Sequence, residues 1–190
     1  SKGTGLLSFI KSVISQRTTD QEEILSAMIL NDQLMFENGI VAVGDISNNL
    51  LSGSVKQSSR MYYHTFVELL GFDPEKAEMV FNKALKLKSD FAPLPASIVP
   101  HAPYSVSEKL FGLLREYSEI HENLSSIHNQ ESQAETDLFM NKSGEFLDFY
   151  GMMNLDLNFF KARYQSSIQS ILPLFSVRQK TLLVHNTYTS

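Results

Sequence analysis

Apolar residues recur at helical spacing in the first part of the chain. Between residues 5 and 17 they fall three and four positions apart, which predicts a helix. The segment Thr19-Asp-Gln-Glu22 has the form of a capping box and predicts a second helix that ends near Gly39. We therefore expect a helical lead-in over residues 1–38, followed by βα units over residues 39–190 in the same single domain.

From Gly39 onward, short apolar runs alternate with helical patterns. The first run, residues 39–46, is β-branched and bounded by glycine, as is typical of a buried parallel strand. Four later runs predict further strands, at residues 61–68, 96–101, 124–128 and 182–185.

Helix start signals follow these strands. Asp73-Pro74 predicts a helix that continues to about Ser89, and Ser105-Val-Ser-Glu108 reads as a capping box for a helix to about Glu122. Helix-prone sequence begins again at Glu131, and a further helical pattern covers residues 158–172.

Strands that alternate with helices indicate an α/β fold with a parallel sheet. Five strands fit either an open doubly wound sheet or part of a barrel. Neither G-x-G-x-x-G nor G-x-x-x-x-G-K-[ST] occurs, which argues against a nucleotide-binding open sheet. We therefore predict a partial TIM (β/α)8 barrel.

Composition narrows the function classes. The 190 residues are 43% hydrophobic, enough for one core. Lys and Arg number 16 against 21 Asp and Glu, and the net charge of −5 argues against nucleic acid or a membrane surface as partner. No apolar run approaches the roughly 20 residues of a membrane span. The absence of Cys excludes disulfides and a Cys nucleophile and fits a cytoplasmic protein, which we predict.

The two ends of the chain suggest that it belongs to a longer protein. It begins with Ser1 rather than Met, and it ends a few residues after a strand-like run. We therefore expect a barrel that is truncated at both ends.

Three of the five histidines stand at the carboxyl ends of predicted strands. His101, His128 and His185 end three different runs, and in a parallel barrel those ends share one mouth, where catalytic residues collect. Glu131 follows His128 by three residues. An imidazole can hold a divalent metal, and a nearby carboxylate can carry protons to and from metal-activated water. The pattern favours a metal-dependent hydrolase.

Three motifs in this order resemble the amidohydrolase superfamily, and more narrowly its metal-dependent deaminase and chlorohydrolase branch. They are Ser97-Ile-Val-Pro-His-Ala-Pro-Tyr-Ser-Val-Ser107, His128-x-x-Glu131 with Glu135 beyond it, and Leu182-Leu-Val-His-Asn-Thr187. Cytosine, guanine, S-adenosylhomocysteine and aminodeoxyfutalosine deaminases belong to this branch. The resemblance covers residues 39–190 and implies barrel strands two to six.

The resemblance implies a role for each matching residue. His128, on the fifth barrel strand, would ligate one divalent metal, zinc or alternatively iron. Glu131 would be the general acid and base. His185, on the sixth strand, would hydrogen-bond the attacking water, or ligate a metal as in binuclear relatives. His101, on the fourth strand, would contact a small-molecule substrate.

Other residues fall near the implied pocket. Glu68 and Glu135 lie on segments that line the substrate site, or that support it from behind. His64 and His121 are expected to be structural or surface residues. The implied reaction is hydrolytic deamination of an aminated purine-type or related heterocycle, with an adenosine-type substrate preferred.

The sequence also departs from the family pattern. The family carries a His-x-His pair on its first strand and an Asp on its eighth, and no His-x-His occurs here. We therefore expect this chain alone to bind metal weakly and to be inactive. Unpaired barrel edges would favour a homo-oligomer.

Two alternatives stay open at this point. The chain can be a non-catalytic α/β module whose 13 Phe and 7 Tyr serve a core or a partner surface. It can also belong to a chlorohydrolase or a cyclic amidase of the same superfamily. The cyclic amidase would use a carbamylated Lys, and no Lys stands at a strand end.

Overall fold

The structure, a computed structural model, describes Phe9, residues 20–162 and residues 165–189. The helix predicted over residues 5–17 lies outside this part of the chain, except for the helical Phe9. No helix among the described residues has both the length and the apolar composition needed to cross a membrane.

Strands and helices alternate along the described residues. The strands are β1 (Ala42–Ser47), β2 (Tyr62–Leu69), β3 (Ala96–Pro100), β4 (Ser125–Asn129) and β5 (Thr181–His185). The helices are α1 (Gln21–Glu37), α2 (Gly53–Ser58), α3 (Ala77–Asp90), α4 (Glu108–Ile120), α5 (Gln133–Asn141), α6 (Glu145–Met152) and α7 (Ser167–Ile171).

All strand pairs in the described sheets are parallel. One sheet has the order β1-β2-β3, and the other consists of β4 and β5. Parallel strands joined through helices are the arrangement that the alternating pattern predicts, so the α/β fold with partial parallel sheets is confirmed.

A seam separates the two sheets between β3 and β4. At one end the His128 amide donates to the His101 carbonyl at 2.9 Å. At the other, the Asn123 side chain takes the place of a strand neighbour: its Nδ2 donates to the Ile98 carbonyl at 2.9 Å and its Oδ1 accepts from the Ile98 amide at 3.0 Å. These bonds satisfy backbone groups that would otherwise be unpaired inside the protein.

Caps explain where several helices begin. Thr19, the predicted cap of α1, is outside the described residues, and Asp20 caps that helix instead by accepting from the Glu22 amide at 3.2 Å. Asp73 caps the short 3₁₀ turn before α3, as predicted. The predicted cap at Ser105 is wrong. Ser107 caps α4 by accepting from the Leu110 amide, whereas the Ser105 hydroxyl is hydrogen-bonded to His101.

The prediction that the first strand is buried is wrong. Strand β1 pairs with β2 on one side and is largely exposed, and Val41 just before it is 73% exposed. A β-branched sequence favours a strand whether or not other elements bury it. The pattern therefore predicted the strand but not its exposure.

A buried ion pair anchors β1 to α2. The Lys56 side chain is 2% exposed, and its Nζ lies 2.6 Å from Asp45 Oδ2. Nζ also donates to Ser47 Oγ at 2.9 Å and to Thr65 Oγ1 at 3.0 Å. An ammonium group so far from water requires these partners, since a buried charge is costly unless it is paired and hydrogen-bonded.

Two apolar clusters form the core. The first packs β2 and β3 against α3 and α4 through Val67, Leu69, Phe81, Ile98, Leu110, Phe111 and Leu114. The second lies beyond the carboxyl ends of β2 and β3 and is rich in aromatic rings: Phe72, Tyr104, Phe139, Phe146 and Tyr150. The frequent aromatic residues thus serve as core to a large extent.

The two helical patterns predicted after β4, from Glu131 and from residue 158, begin as helices later than predicted, at Gln133 and Ser167. Glu131 precedes α5, which begins after its cap Ser132. Of the pattern over residues 158–172, only α7 is α-helical among the described residues. Asn158 is instead in a turn closed by Asp156, and Phe160 packs on the ring of Phe72.

Candidate metal centre at the strand ends

The three strand-end histidines lie together. His101 follows β3 directly, His128 is in β4, and His185 is the last residue of β5. The ring centroids of His101 and His128 are 5.1 Å apart, and those of His128 and His185 are 5.2 Å apart. Because the carboxyl ends of parallel strands share one edge, the fold brings together side chains that are 27 and 57 positions apart in sequence.

Ser105 fixes the orientation of the His101 ring. Its Oγ lies 2.6 Å from Nδ1 of His101 and 3.2 Å from the Ala102 carbonyl, so Nδ1 is engaged in a hydrogen bond with the hydroxyl. Burial, with the neighbouring His128, lowers the pKa of His101 to about 4. The ring is therefore uncharged at neutral pH.

Glu68 and His128 face each other across the mouth of the strands. Glu68, at the end of β2, is 7% exposed at its side chain, and its Oε1 lies 3.8 Å from His128 Nε2. Nδ1 of His128 is buried without a hydrogen-bond partner among the described residues. Burial lowers the pKa of His128 and raises that of Glu68.

These residues form a set of potential metal ligands. One ligand atom each from Glu68, His101 and His128 lies within 4.8 Å of the other two. Two neutral imidazoles and a carboxylate are a common ligand set for zinc, and also for non-haem iron. The buried, unpartnered nitrogen of His128 fits such a role. His185, which the sequence also indicated as a ligand, is outside this set.

Glu131 lies beside the candidate metal centre. Its Oε2 accepts from the Tyr104 hydroxyl at 3.1 Å, and its Oε1 is 3.6 Å from His185 Nε2. Tyr104 is buried, and this burial together with the Glu131 carboxylate raises the pKa of the phenol. Tyr104 therefore remains a hydrogen-bond donor that holds one oxygen of Glu131 and leaves the other facing His185.

Glu135 lies behind the site instead of lining it. The residue is 0% exposed, and its two oxygens accept from the amides of Gln130 and Glu131. Of the two roles that the sequence left open for Glu135, this position matches the supporting one. His64 contacts Ser97 inside the sheet, and His121 is exposed at the end of α4.

Sequence reasoning did not single out two residues that contact the site. Tyr104 is part of the His-Ala-Pro-Tyr motif, and its place in that motif beside His101 could have indicated that it contacts the site. Asn48 follows β1 directly, and its Nδ2 lies 3.4 Å from Glu68 Oε2. The rule that residues at strand ends form the site would have included it.

Histidines and carboxylates at the carboxyl ends of parallel strands are typical of barrel enzymes, whose catalytic residues collect at that end. Comparison with solved structures agrees. The chain is similar to aminofutalosine deaminase from Helicobacter pylori, with 28% sequence identity and a TM-score of 0.68 over 87% of this chain. It spans only 44% of the length of that deaminase.

Two further structures are similar. One is the same deaminase in complex with methylthio-coformycin, at 27% identity and a TM-score of 0.61, covering 85% of this chain and 39% of that one. The other is an adenosine deaminase from Xanthomonas campestris with bound zinc, at 16% identity and a TM-score of 0.53, covering 73% of this chain and 33% of that one, which supports the fold alone.

No protein-family model and no curated protein sequence matches the chain. The resemblance to deaminases of the amidohydrolase superfamily, drawn from the motifs, is nevertheless confirmed by the solved structures.

Proposed function

We propose that these residues form part of the active site of a metal-dependent hydrolase that deaminates an aminated purine-type heterocycle. The observation that carries the proposal is the convergence of Glu68, His101 and His128 beside Glu131, at the strand ends of a deaminase-like fold. Aminofutalosine is the first substrate to test, because the deaminase named for it is 28% identical.

Glu68, His101 and His128 would hold the metal. A divalent metal at this position supplies Lewis acidity, which lowers the pKa of a water molecule to near neutrality. His101 and His128 would each offer one imidazole nitrogen, and Glu68 one carboxylate oxygen. If Glu68 and His101 do not bind metal, they would contact the substrate, which is the role that the sequence indicated for them.

Glu131 would move the proton. Tyr104 fixes its Oε2, so Oε1 is the oxygen available to take a proton from the attacking water and return it to the leaving amine. His185, 3.6 Å from that oxygen, would stabilise the negative charge that develops during the attack. The His185 ring lies beside the ring of His128, with centroids 5.2 Å apart.

Ammonia release tests the proposal. The protein to use is the natural polypeptide in which these 190 residues occur, called the full-length protein below. The panel contains aminofutalosine, adenosine, guanine and cytosine, together with a chlorinated triazine and a cyclic amide. We expect one amine of the panel to release ammonia, with activity lost on chelation and restored by zinc.

The other results have distinct meanings. Release of chloride, or opening of the cyclic amide, would replace deamination by another reaction of the superfamily. No reaction and no bound metal after reconstitution would contradict the proposal and favour the alternative, a non-catalytic α/β module.

Metal binding by the 190-residue chain tests the ligand set separately. The sequence predicts weak metal binding by this chain, but Glu68, His101 and His128 offer three ligand atoms within 4.8 Å of one another, so we now expect about one equivalent of zinc to bind. His128→Ala should abolish binding, measured by isothermal titration calorimetry. His121→Ala, at an exposed helix end, should leave it unchanged. Equal zinc binding by wild type and His128→Ala would rule out the ligand set.

We also propose that the 190-residue chain alone releases no ammonia, because it spans less than half of the similar deaminase. Self-association through the exposed β1 and a cytoplasmic location stay predictions.

A further inference from the structure

Glu135 is an ionisable residue buried where a charge is expensive. It lies in the first turn of α5 and is 0% exposed. Burial raises its pKa, whereas hydrogen bonds from Ser167 and from two backbone amides favour the carboxylate and lower it. A carboxylate in such surroundings is tolerated only because its oxygens are hydrogen-bonded.

The two amides belong to consecutive residues. Gln130 N donates to Oε1 of Glu135 at 2.9 Å, and Glu131 N donates to Oε2 at 3.0 Å. The Glu135 carboxylate therefore binds both backbone amides of the turn that leads into Glu131. Gln130 has a φ of 48°, in the left-handed region that a residue with a side chain seldom adopts. This unfavourable turn places Glu131 at the mouth of the strands.

The same turn is fixed from the other side. The Gln130 carbonyl accepts from the Tyr188 amide at 3.1 Å, and its side-chain Nε2 donates to the Tyr188 carbonyl at 3.3 Å. These bonds join the turn after β4 to the segment that follows His185, the last residue of β5. The turn at Gln130, with Glu135 beneath it, thus connects the segments that carry Glu131 and His185.

We propose that Glu135 is a positioning residue that acts through Glu131. Its oxygens are engaged by the amides of Gln130 and Glu131, and it is outside the candidate ligand set. It fixes the left-handed turn, and through the turn it sets the direction of the Glu131 carboxylate. The inference rests on the proposed function, because it assigns Glu135 to the same proton transfer.

A double-mutant cycle in the full-length protein tests the assignment. Glu135→Gln puts an NH₂ group against a backbone N–H, so the turn and the Glu131 carboxylate should shift. We expect kcat to fall by about 100-fold, the usual effect of displacing a catalytic group by about 1 Å. KM should change by less than about twofold. In a Glu131→Gln background the same change should lower kcat no further, because a residue that acts through another has no effect once the other is removed.

Matched variants separate positioning from folding. Glu145→Gln, also in the first turn of a helix but exposed, should keep wild-type kcat. Glu135→Asp retains the charge but is one methylene shorter, so we expect an intermediate loss. If Glu135→Gln does not fold, the Glu135→Asp cycle replaces it. An equal loss of kcat with and without Glu131, or no loss at all, would overturn the proposal.

A second measurement does not depend on activity. In the 190-residue chain, the amide protons of Gln130 and Glu131 should resonate downfield in NMR spectra, because both donate to a carboxylate. In Glu135→Gln at least one should move upfield, with the far-ultraviolet circular dichroism unchanged. Unmoved amides would refute the contact itself. An inactive wild-type protein whose amides do shift would refute the proposed function but not the contact.

Discussion

Replacing Glu131 with Gln in the full-length protein is expected to lower kcat for ammonia release by about 10²–10⁴-fold, the usual contribution of a general acid and base. Gln keeps an oxygen for the Tyr104 hydroxyl but cannot accept and return a proton. The shape of the site is retained, so KM should change little. Steady-state kinetics with the best amine of the panel provide the measurement.

A matched substitution shows whether this effect is local. Glu116→Gln changes an exposed residue on α4 and should leave kcat and KM at wild-type values. Metal content should be the same in all three proteins, because Glu131 is outside the proposed ligand set. Wild-type turnover by Glu131→Gln would exclude Glu131 as the residue that moves the proton.

Removing Asp45 is expected to destabilise the fold more than removing its partner does. Asp45→Ala leaves the Lys56 ammonium buried without a counter-charge, and we expect it to lower the free energy of unfolding by about 2–4 kcal/mol. This is below the largest values for buried pairs, because the Asp45 side chain is 36% exposed and partly screened by solvent. Urea denaturation of the 190-residue chain measures the change.

The reverse substitution should cost less. Lys56→Met fills the same space with an apolar chain and leaves Asp45 able to contact water, so we expect a loss of about 1 kcal/mol. Adding Lys56→Met to Asp45→Ala should recover most of the lost stability. Lys86→Met, at an exposed ion pair with Asp90, should change stability by less than about 0.5 kcal/mol. Equal losses for Asp45→Ala and Lys56→Met would disprove this asymmetry.

Much of the fold could be predicted because its signals are local. Short apolar runs bounded by polar residues identified all five described strands within a few positions. The Asp73-Pro74 signal located the turn before α3. The convergence of His101, His128 and His185 followed from one geometric rule, that parallel strands end at a common edge.

Other features depend on contacts that sequence spacing does not encode. Ser105 and Ser107 are equally good caps by type, but Ser105 lies in a 3₁₀ turn and contacts His101, and neither feature is encoded in the spacing of the two serines. The supporting position of Glu135 follows from a left-handed Gln130, which nothing in the sequence marks. The exposure of β1 depends on which other elements pack against it. The run of apolar residues predicts only that the segment is a strand.

The seam between the two sheets has a consequence for ligand binding. It passes between His101 and His128, whose backbones are joined there by one hydrogen bond, so a metal held by both rings would span it. Occupancy of the site and cohesion of the sheets would then be thermodynamically linked. The joined sheets would bind metal more tightly than the separated sheets by the same factor by which bound metal opposes their separation.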